Sequence, residues 1–377
     1  MASFDLQSKE AINYMKSLVF TVTNDLNYDQ RMIRICESLA GAGYRVTLVG
    51  RTTPASLPLQ PRDFRQKRLG CIFPKGPLFY IEYNVRLFFY LLFAKASVLC
   101  AIDLDSILPV LVVSKLRRIK RVYDAHELFC EMQEIVERPR IYRIWKCIEK
   151  ISVPSFRYGY TVNQPIADEF QKMYNRHYEV IRNMPLLRDL QVPAKPERFI
   201  LYQGAVNEGR SFDTLIPAMQ LVNARLVIAG TGNYMDTVKT LIAQHRLEGK
   251  IVLLGNLLPA DLRAKTREAY IGVTLFEHKG LSNYYSLANR YFDYLHAGVP
   301  QLCVDYPVYH ELNKTAPVAV LTEGLSPERI ALKLNMLLEN DDLYRELQAN
   351  CLVQRQTLNW QQEEKKLIHF YKQILGS

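Results

Sequence analysis

The strongest constraint on this chain is an alternation that runs through most of its length. Short β-rich runs are each followed by a helical pattern or a loop. Such alternation argues for parallel sheets covered by helices. One series opens with "SLVFTVT" (17–23) and the helical stretch "DQRMIRICESLAGAGY". In that stretch Met32, Ile33, Ile35, Cys36 and Leu39 are the apolar positions, and the glycines at 41 and 43 predict the helix end. "RVTLVG" (45–50), "SVLCAI" (97–102), "RVYDA" (121–125) and "RYGYTV" (157–162) continue the series. A second series comprises "FILYQG" (199–204), "ARLVIAG" (224–230), "KIVLLG" (250–255), "YIGVTLF" (270–276), "VPQLCV" (299–304) and "PVAVLT" (317–322). Between the two lies "VIRNMPLLRDLQVPAKPERF" (180–199), whose prolines at 185, 193 and 196 suit a linker better than a helix or central strand. A chain of 377 residues is also too long for one ordinary core. The expected fold is α/β, with two Rossmann-like, doubly wound domains, 1–182 and 183–358, facing an interdomain cleft.

The formal charge of +10 favours an anionic partner such as a nucleotide, nucleic acid or phospholipid surface, without choosing among them. The seven cysteines show no CxxC spacing, and Cys100 and Cys303 lie inside apolar runs as small buried hydrophobes would. Neither a disulfide framework nor a zinc site is expected, and a reducing cytoplasm fits best. The first residues, "MASFDLQSKEAINYMK", contain no signal-peptide apolar core. The most membrane-like stretch, 85–102, is interrupted by Arg86 and Lys95. The run between them would span about 12 Å as a helix, against a hydrocarbon core of about 30 Å. It reads as a core helix, or as a face resting on lipid, and not as a span.

The chemistry-bearing residues fall at predicted strand ends. A dinucleotide fingerprint is missing: "TNDLNYDQR" after the first strand has no glycine, and "AGTGNYMD" offers only Gly230-x-Gly232. A Walker loop is missing too. In "YQGAVNEGRSFDTLI" a strand ends at Gly204 and a loop leads to Arg210 beside a helix start, a setting that suits phosphate but is equally open to a solvated arginine. In "RVYDAHELF" a strand runs into Asp124, His126 and Glu127, where His126 could bond a substrate hydroxyl, shuttle a proton, or simply cap a helix with Glu127. In "SLANRYFDYLHAGVP" (286–300) a helix beginning near Leu287 would carry Asp293 about two turns in, on one stripe with Asn289. An internal carboxylate there needs partners, either two ribose hydroxyls or Arg290 three residues earlier. Amides around Tyr285, Ser286 and Leu287 could meanwhile face a diphosphate.

Taken together, "DAHE", "VIRN" (180–183), "YQG…EGR…LI" and "SLANRYFDYLHAGVP" resemble the retaining GT-B glycosyltransferases of family 4, also called group 1. The resemblance runs from "TNDLNYDQRM" to the helical tail. It implies a nucleoside-diphosphate sugar held mainly by the C-terminal domain, an acceptor on the N-terminal one, and a last helix, about 359–377, that returns to the N-terminal domain. By the same resemblance, Arg210 matches a basic residue that binds the diphosphate and Asp293 the glutamate that holds the ribose. His126 matches a histidine near the donor sugar, and Gly230 and Gly232 a turn approaching the nucleotide. Asn24, Asp25, Arg31, Asp124 and Glu127 fall on the acceptor side.

Three departures stand out. The family's first motif glutamate falls at Tyr285, the arginine usual after Gly204 is Ala205, and the glycine-rich loop after the first strand is "NDLNYDQ". Glu277 is the candidate substitute for the glutamate, and Arg290 for the lost phosphate charge. The function expected is metal-independent, cofactor-free retaining transfer of a sugar to a saccharide or lipid-linked saccharide, in the cytoplasm or on the inner membrane face. Nucleic acid is not an expected partner. The alternatives are a nucleotide-sugar epimerase of the same architecture and a non-catalytic membrane-surface binding protein, the latter motivated by the basic run "KLRRIKR" (115–121).

Overall fold

The computed structural model describes residues 16–27, 29–54, 56–191 and 197–376. Pro193 and Pro196 of the expected linker, and nearly all of the N-terminal segment, lie outside the described residues. Two compact units divide the chain: Met1–Arg182 with Glu363–Ser377, and Asn183–Gln362.

The first unit is built on a seven-stranded sheet in the order β3-β2-β1-β4-β5-β6-β7. Its strands are β1 (Ser17–Thr21), β2 (Arg45–Arg51), β3 (Arg65–Leu69), β4 (Val98–Ile102), β5 (Lys120–Ala125), β6 (Tyr158–Thr161) and β7 (Glu179–Val180). Every pairing is parallel. Every residue of the central strands β1 and β4 is buried, as a parallel sheet covered on both faces requires. The helix Gln30–Gly41 follows β1. Asp29 caps it by accepting from the Met32 N–H at 3.0 Å, and all five apolar positions expected on its inner face are buried. The run Leu87–Ala94 proves to be the second half of a longer helix, Gly76–Phe93, which buries Phe79, Tyr83, Leu87 and Leu91. No described helix is long and apolar enough to cross a membrane. The last helix, Trp360–Leu375, buries Leu367, Phe370, Tyr371 and Ile374, and the Tyr371 ring meets Phe20 edge-on at 5.9 Å.

The second unit has a six-stranded sheet in the order β10-β9-β8-β11-β12-β13. These strands are β8 (Ile200–Gln203), β9 (Leu226–Ala229), β10 (Ile251–Gly255), β11 (Ile271–Thr274), β12 (Gln301–Val304) and β13 (Ala319–Thr322). They too pair in parallel. β8, β9, β11 and β12 are buried throughout. The helix expected from about Leu287 begins later, at Asn289, and ends at His296. Asp293 is therefore its fifth residue, about one turn in instead of two. The Ala288 N–H, just before the helix, donates to the Tyr309 hydroxyl at 2.9 Å. At the other end Gly298, with φ +66°, turns the chain toward β12.

Candidate functional site

In doubly wound sheets ligands bind beyond the carboxyl ends of the strands, where the strand order reverses. Here the order reverses between β1 and β4 in the first unit and between β8 and β11 in the second. Polar groups gather beyond the strand ends at both places.

In the second unit the loops after β8 and β11 are tied together, the Glu277 N–H donating to the Gly209 carbonyl at 2.9 Å. Arg210, half-buried at the end of the β8 loop, places its guanidinium carbon 4.6 Å from the centroid of the Phe276 ring. Arg290, the second residue of its helix, approaches the same ring at 5.0 Å and the Tyr202 ring at 4.4 Å. Stacking on aromatic faces stabilises a guanidinium removed from water but leaves its N–H groups directed elsewhere. Arg290 is only 8% exposed, and its buried Nη1 has no hydrogen-bond partner among the described residues. A buried donor in that state costs about 1–3 kcal/mol, more when charged, until an acceptor arrives.

The glycines shape the same rim. A Cβ on Gly230, whose φ is +153°, would lie 1.9 Å from the Gly204 carbonyl oxygen, and one on Gly232 would lie 2.2 Å from that of Val206. The Gly230-x-Gly232 sequence therefore lets the loops after β8 and β9 close on each other. Hydrogen bonds from Val206 N to Thr231 O at 3.0 Å and from Tyr234 N to Val206 O at 2.9 Å zip them together.

Asp293 accepts a hydrogen bond at 2.9 Å from Nε2 of Gln203, the last residue of β8. The hydroxyl of Thr266 lies 2.7 Å from Gln203 Oε1. Because a carboxylate can only accept, Gln203 must turn its amino group to Asp293 and its oxygen to Thr266. Gln203 and Thr266 are both 3% exposed, so the carboxylate stands on a fixed support. Arg290, the other partner considered from sequence, is directed to Tyr202 and Phe276. Asn289 accepts from Asn183 Nδ2 at 2.8 Å. Ser286 and Leu287 lie in the half-buried connection before the helix, where the Ser286 N–H donates to Asn283 O at 3.2 Å. Tyr285 caps the short helix Gly280–Tyr284 and packs its ring 5.3 Å from Tyr284. Glu277 directly follows Phe276 and pairs with Lys279 at 2.8 Å.

In the first unit the cluster centres on His126, in the loop after β5. Its Nδ1 lies 3.2 Å from Asp103 Oδ2 and its Nε2 3.3 Å from Asp124 Oδ2. Its backbone N–H donates to the other Asp103 oxygen at 3.0 Å. Asp124, fully buried at the end of β5, also pairs with Arg31 Nη2 at 2.9 Å, and Arg31 Nη1 donates to the Ile181 carbonyl at 3.2 Å. Glu127, the next residue after His126, is half-buried. Asn24 and Asp25 form a separate group: Asn24 donates to Asp29 at 3.2 Å, while Asp25 is bound by Arg68 of β3 at 2.5 Å and by the Ser56 hydroxyl.

Charge follows this geometry. Burial disfavours an imidazolium, but the Asp103 and Asp124 carboxylates outweigh it and hold His126 well above the ordinary histidine value. Burial likewise opposes ionisation of Asp124, and Arg31 and His126 reverse the effect, leaving its pKa lowered. Asp105 behaves differently. Burial and the neighbouring Asp103 charge push it up to about 7, against a 2.5 Å hydrogen bond from Thr23. Asp103 holds its clamp on His126 with φ +55°, a backbone conformation uncommon outside glycine.

Phe276, Gln203, Asp103 and Asp105 were not singled out from sequence. For the aspartates a signal existed: "AIDLDS" runs off the end of β4 as "DAHE" runs off the end of β5, so the same strand-end rule reaches them.

Comparison with known proteins fits this architecture. Sucrose-phosphate synthase from Thermosynechococcus elongatus superposes with a TM-score of 0.80 at 15% identity, over 96% of this chain and 99% of that one. HepE from Anabaena, solved with UDP and glucose, gives 0.75 at 11% identity over 95% and 100%. WaaG, a glycosyltransferase involved in lipopolysaccharide biosynthesis, gives 0.72 at 15% identity over 93% and 98%. No curated protein matches by sequence. The two parallel-sheet units thus make up the GT-B glycosyltransferase fold. Residues 186–351, within the second unit, further match the family described as Glycosyl transferases group 1.

Proposed function

We propose that the protein is a retaining glycosyltransferase that moves a sugar from a nucleoside-diphosphate donor to a saccharide or lipid-linked saccharide. The observation that carries this is the convergence of Arg210 and Arg290 on Phe276, with a buried Arg290 N–H awaiting an acceptor. The difficult event in such a transfer is the growth of negative charge on the departing diphosphate. Fixed cations in a partly dry site stabilise that charge without reorganising, and the donor needs neither metal nor cofactor on this reading.

Asp293, braced by Gln203, accepts the ribose hydroxyls. Ser286, Leu287 and Asn289, on the approach to the same helix, line the donor side with Gly204, Gly230 and Gly232. His126, charged between Asp103 and Asp124, has no lone pair to act as a base. Its role is that of a hydrogen-bond donor and positive charge near the donor sugar, while Glu277 and Tyr285 supply the polar groups that replace the family's first motif glutamate. Arg31, Asp124 and Glu127, with Asn24 and Asp25, belong to the acceptor side.

HepE was solved with UDP-glucose and with UDP, and WaaB is described as a lipopolysaccharide outer core galactosyltransferase. These structures support a nucleotide-sugar donor; the acceptor on this reading is a saccharide or lipid-linked saccharide, reached in the cytoplasm at the inner membrane face. The test is proton NMR of the sugar product formed in EDTA. A product with the donor's anomeric configuration is expected. Inversion, a strict metal requirement, or conversion of the nucleotide sugar to its epimer would overturn the reading.

A further inference from the structure

The helix Gly76–Phe93 is apolar on nearly all sides, a pattern that belongs to buried helices. One side packs into the first unit. On the opposite side Leu78, Ile81, Val85, Phe89 and Phe93, spaced three or four residues apart, stand exposed, Phe89 at 57% and Phe93 at 80%. The only acidic residue of the segment 71–97, Glu82, is turned to internal duty. It accepts from the Ile72 and Phe73 N–H groups and pairs with Arg86, holding two more exposed apolar side chains, Ile72 and Phe73, beside the helix.

A neighbouring helix, Ile107–Leu116, extends this face. The Arg117 guanidinium at its end donates to the Leu91 and Ala94 carbonyls at 2.7 and 2.6 Å, which brings Leu116, 65% exposed, to the Phe93 end of the stripe. Around that end Lys95, Lys115 and Arg118 are exposed, and Lys75 is exposed at the other. Residues 107–121 contain no acidic residue at all.

We infer that this face docks on an anionic phospholipid surface, with the helix lying in the interfacial plane, its outer stripe among the acyl chains and the lysines at the headgroups. An apolar stripe flanked by cations is the composition such a surface recognises. A two-fold contact between copies would instead set the same cations near one another. The inference deepens the membrane side of the proposed function and rests on that part of it alone, because vesicle binding is measured without nucleotide or acceptor.

The test is cosedimentation of the full chain with phosphatidylcholine vesicles, with and without phosphatidylglycerol, alongside sedimentation velocity. The wild type should bind the anionic vesicles. Phe89→Asp should weaken that binding by about tenfold or more while leaving the melting temperature and any nucleotide-induced thermal shift unchanged. A Lys95→Glu, Lys115→Glu pair, which keeps the apolar stripe, should remove the preference for phosphatidylglycerol. Failure of the wild type to bind at low salt, equal binding by the variants, or a wild-type dimer that Phe89→Asp dissociates would each overturn the inference. A missing nucleotide shift would count against the transfer reaction and leave this docking face standing.

Discussion

Arg210 and Arg290 share one aromatic ring, their guanidinium carbons 4.6 and 5.0 Å from the centroid of Phe276. Eighty positions apart in sequence, they are brought together by the reversal of strand order between β8 and β11. The two charges are therefore at most about 10 Å apart, and at an effective dielectric of about 20 they repel by about 2 kcal/mol or more. An anion bound by both converts that repulsion into attraction.

Replacing Arg210 with alanine should weaken nucleoside-diphosphate binding by about tenfold to a hundredfold, the range for a lost hydrogen bond to a charged group. Binding of the matching nucleoside should change little. Calorimetric titration of both ligands checks this, and an equal loss for the two would remove Arg210 from the phosphate site.

Asp293→Asn should weaken binding of the ribonucleotide by about 1–3 kcal/mol. A 2′,3′-dideoxy analogue, having no ribose hydroxyls to offer, should bind wild type and variant alike. If Asp293 serves only to hold Gln203, both ligands will lose affinity together or neither will.

Asp105 makes a prediction about pH. Its folded pKa of about 7 lies above the unfolded value of about 3.8, so the folded state retains a proton that the unfolded state has released. The contribution of this group to stability is full below about pH 3.8 and is lost as pH rises to about 7. Asp105→Asn, neutral throughout, should therefore gain stability relative to wild type across that window, by up to about 4 kcal/mol at its upper end, and level off beyond it. Urea unfolding at a series of pH values reads the difference. A constant offset would show that Asp105 is ionised in the fold at all of them.

The His126 clamp can be followed by NMR. The wild-type ring should stay protonated well above the usual histidine range, and Asp103→Asn, which removes one of the two carboxylates, should bring its titration down. An unchanged titration would mean that Asp124 alone sets the charge.

Gly230→Ala should destabilise the second unit by about 2–4 kcal/mol, since the new methyl would meet backbone at Gly204 and the residue already lies at a positive φ. Gly249→Ala, where a Cβ meets nothing within 4 Å, serves as the control. Thermal unfolding distinguishes the two.

The doubly wound architecture was legible because buried parallel strands must be apolar throughout and end at turns. β3 escaped notice for the converse reason. "RQKRL" is an edge strand paired on one side only, with Arg65 and Lys67 exposed and Arg68 turned to Asp25, so it lacks any apolar signal. Arg210 and Arg290 were legible as charged residues near predicted strand or helix ends, and Asp293 as a carboxylate inside a predicted helix. Their supports were not, because Phe276 and Gln203 look like ordinary core residues until the fold sets them under a guanidinium and a carboxylate. The exposed half of the helix Gly76–Phe93 was hidden for a related reason: composition shows that it is apolar, and only packing shows which side is covered.

The most direct test is the difference between diphosphate and nucleoside affinity in the wild-type protein, measured by calorimetry across UDP, GDP, ADP and their nucleosides in EDTA. The diphosphate of one base should bind at least about a hundredfold more tightly than its nucleoside if Arg210 and Arg290 both bind the phosphates. Equal affinities for diphosphate and nucleoside, or no binding of any of the three diphosphates, would contradict a donor site built on Arg210 and Arg290.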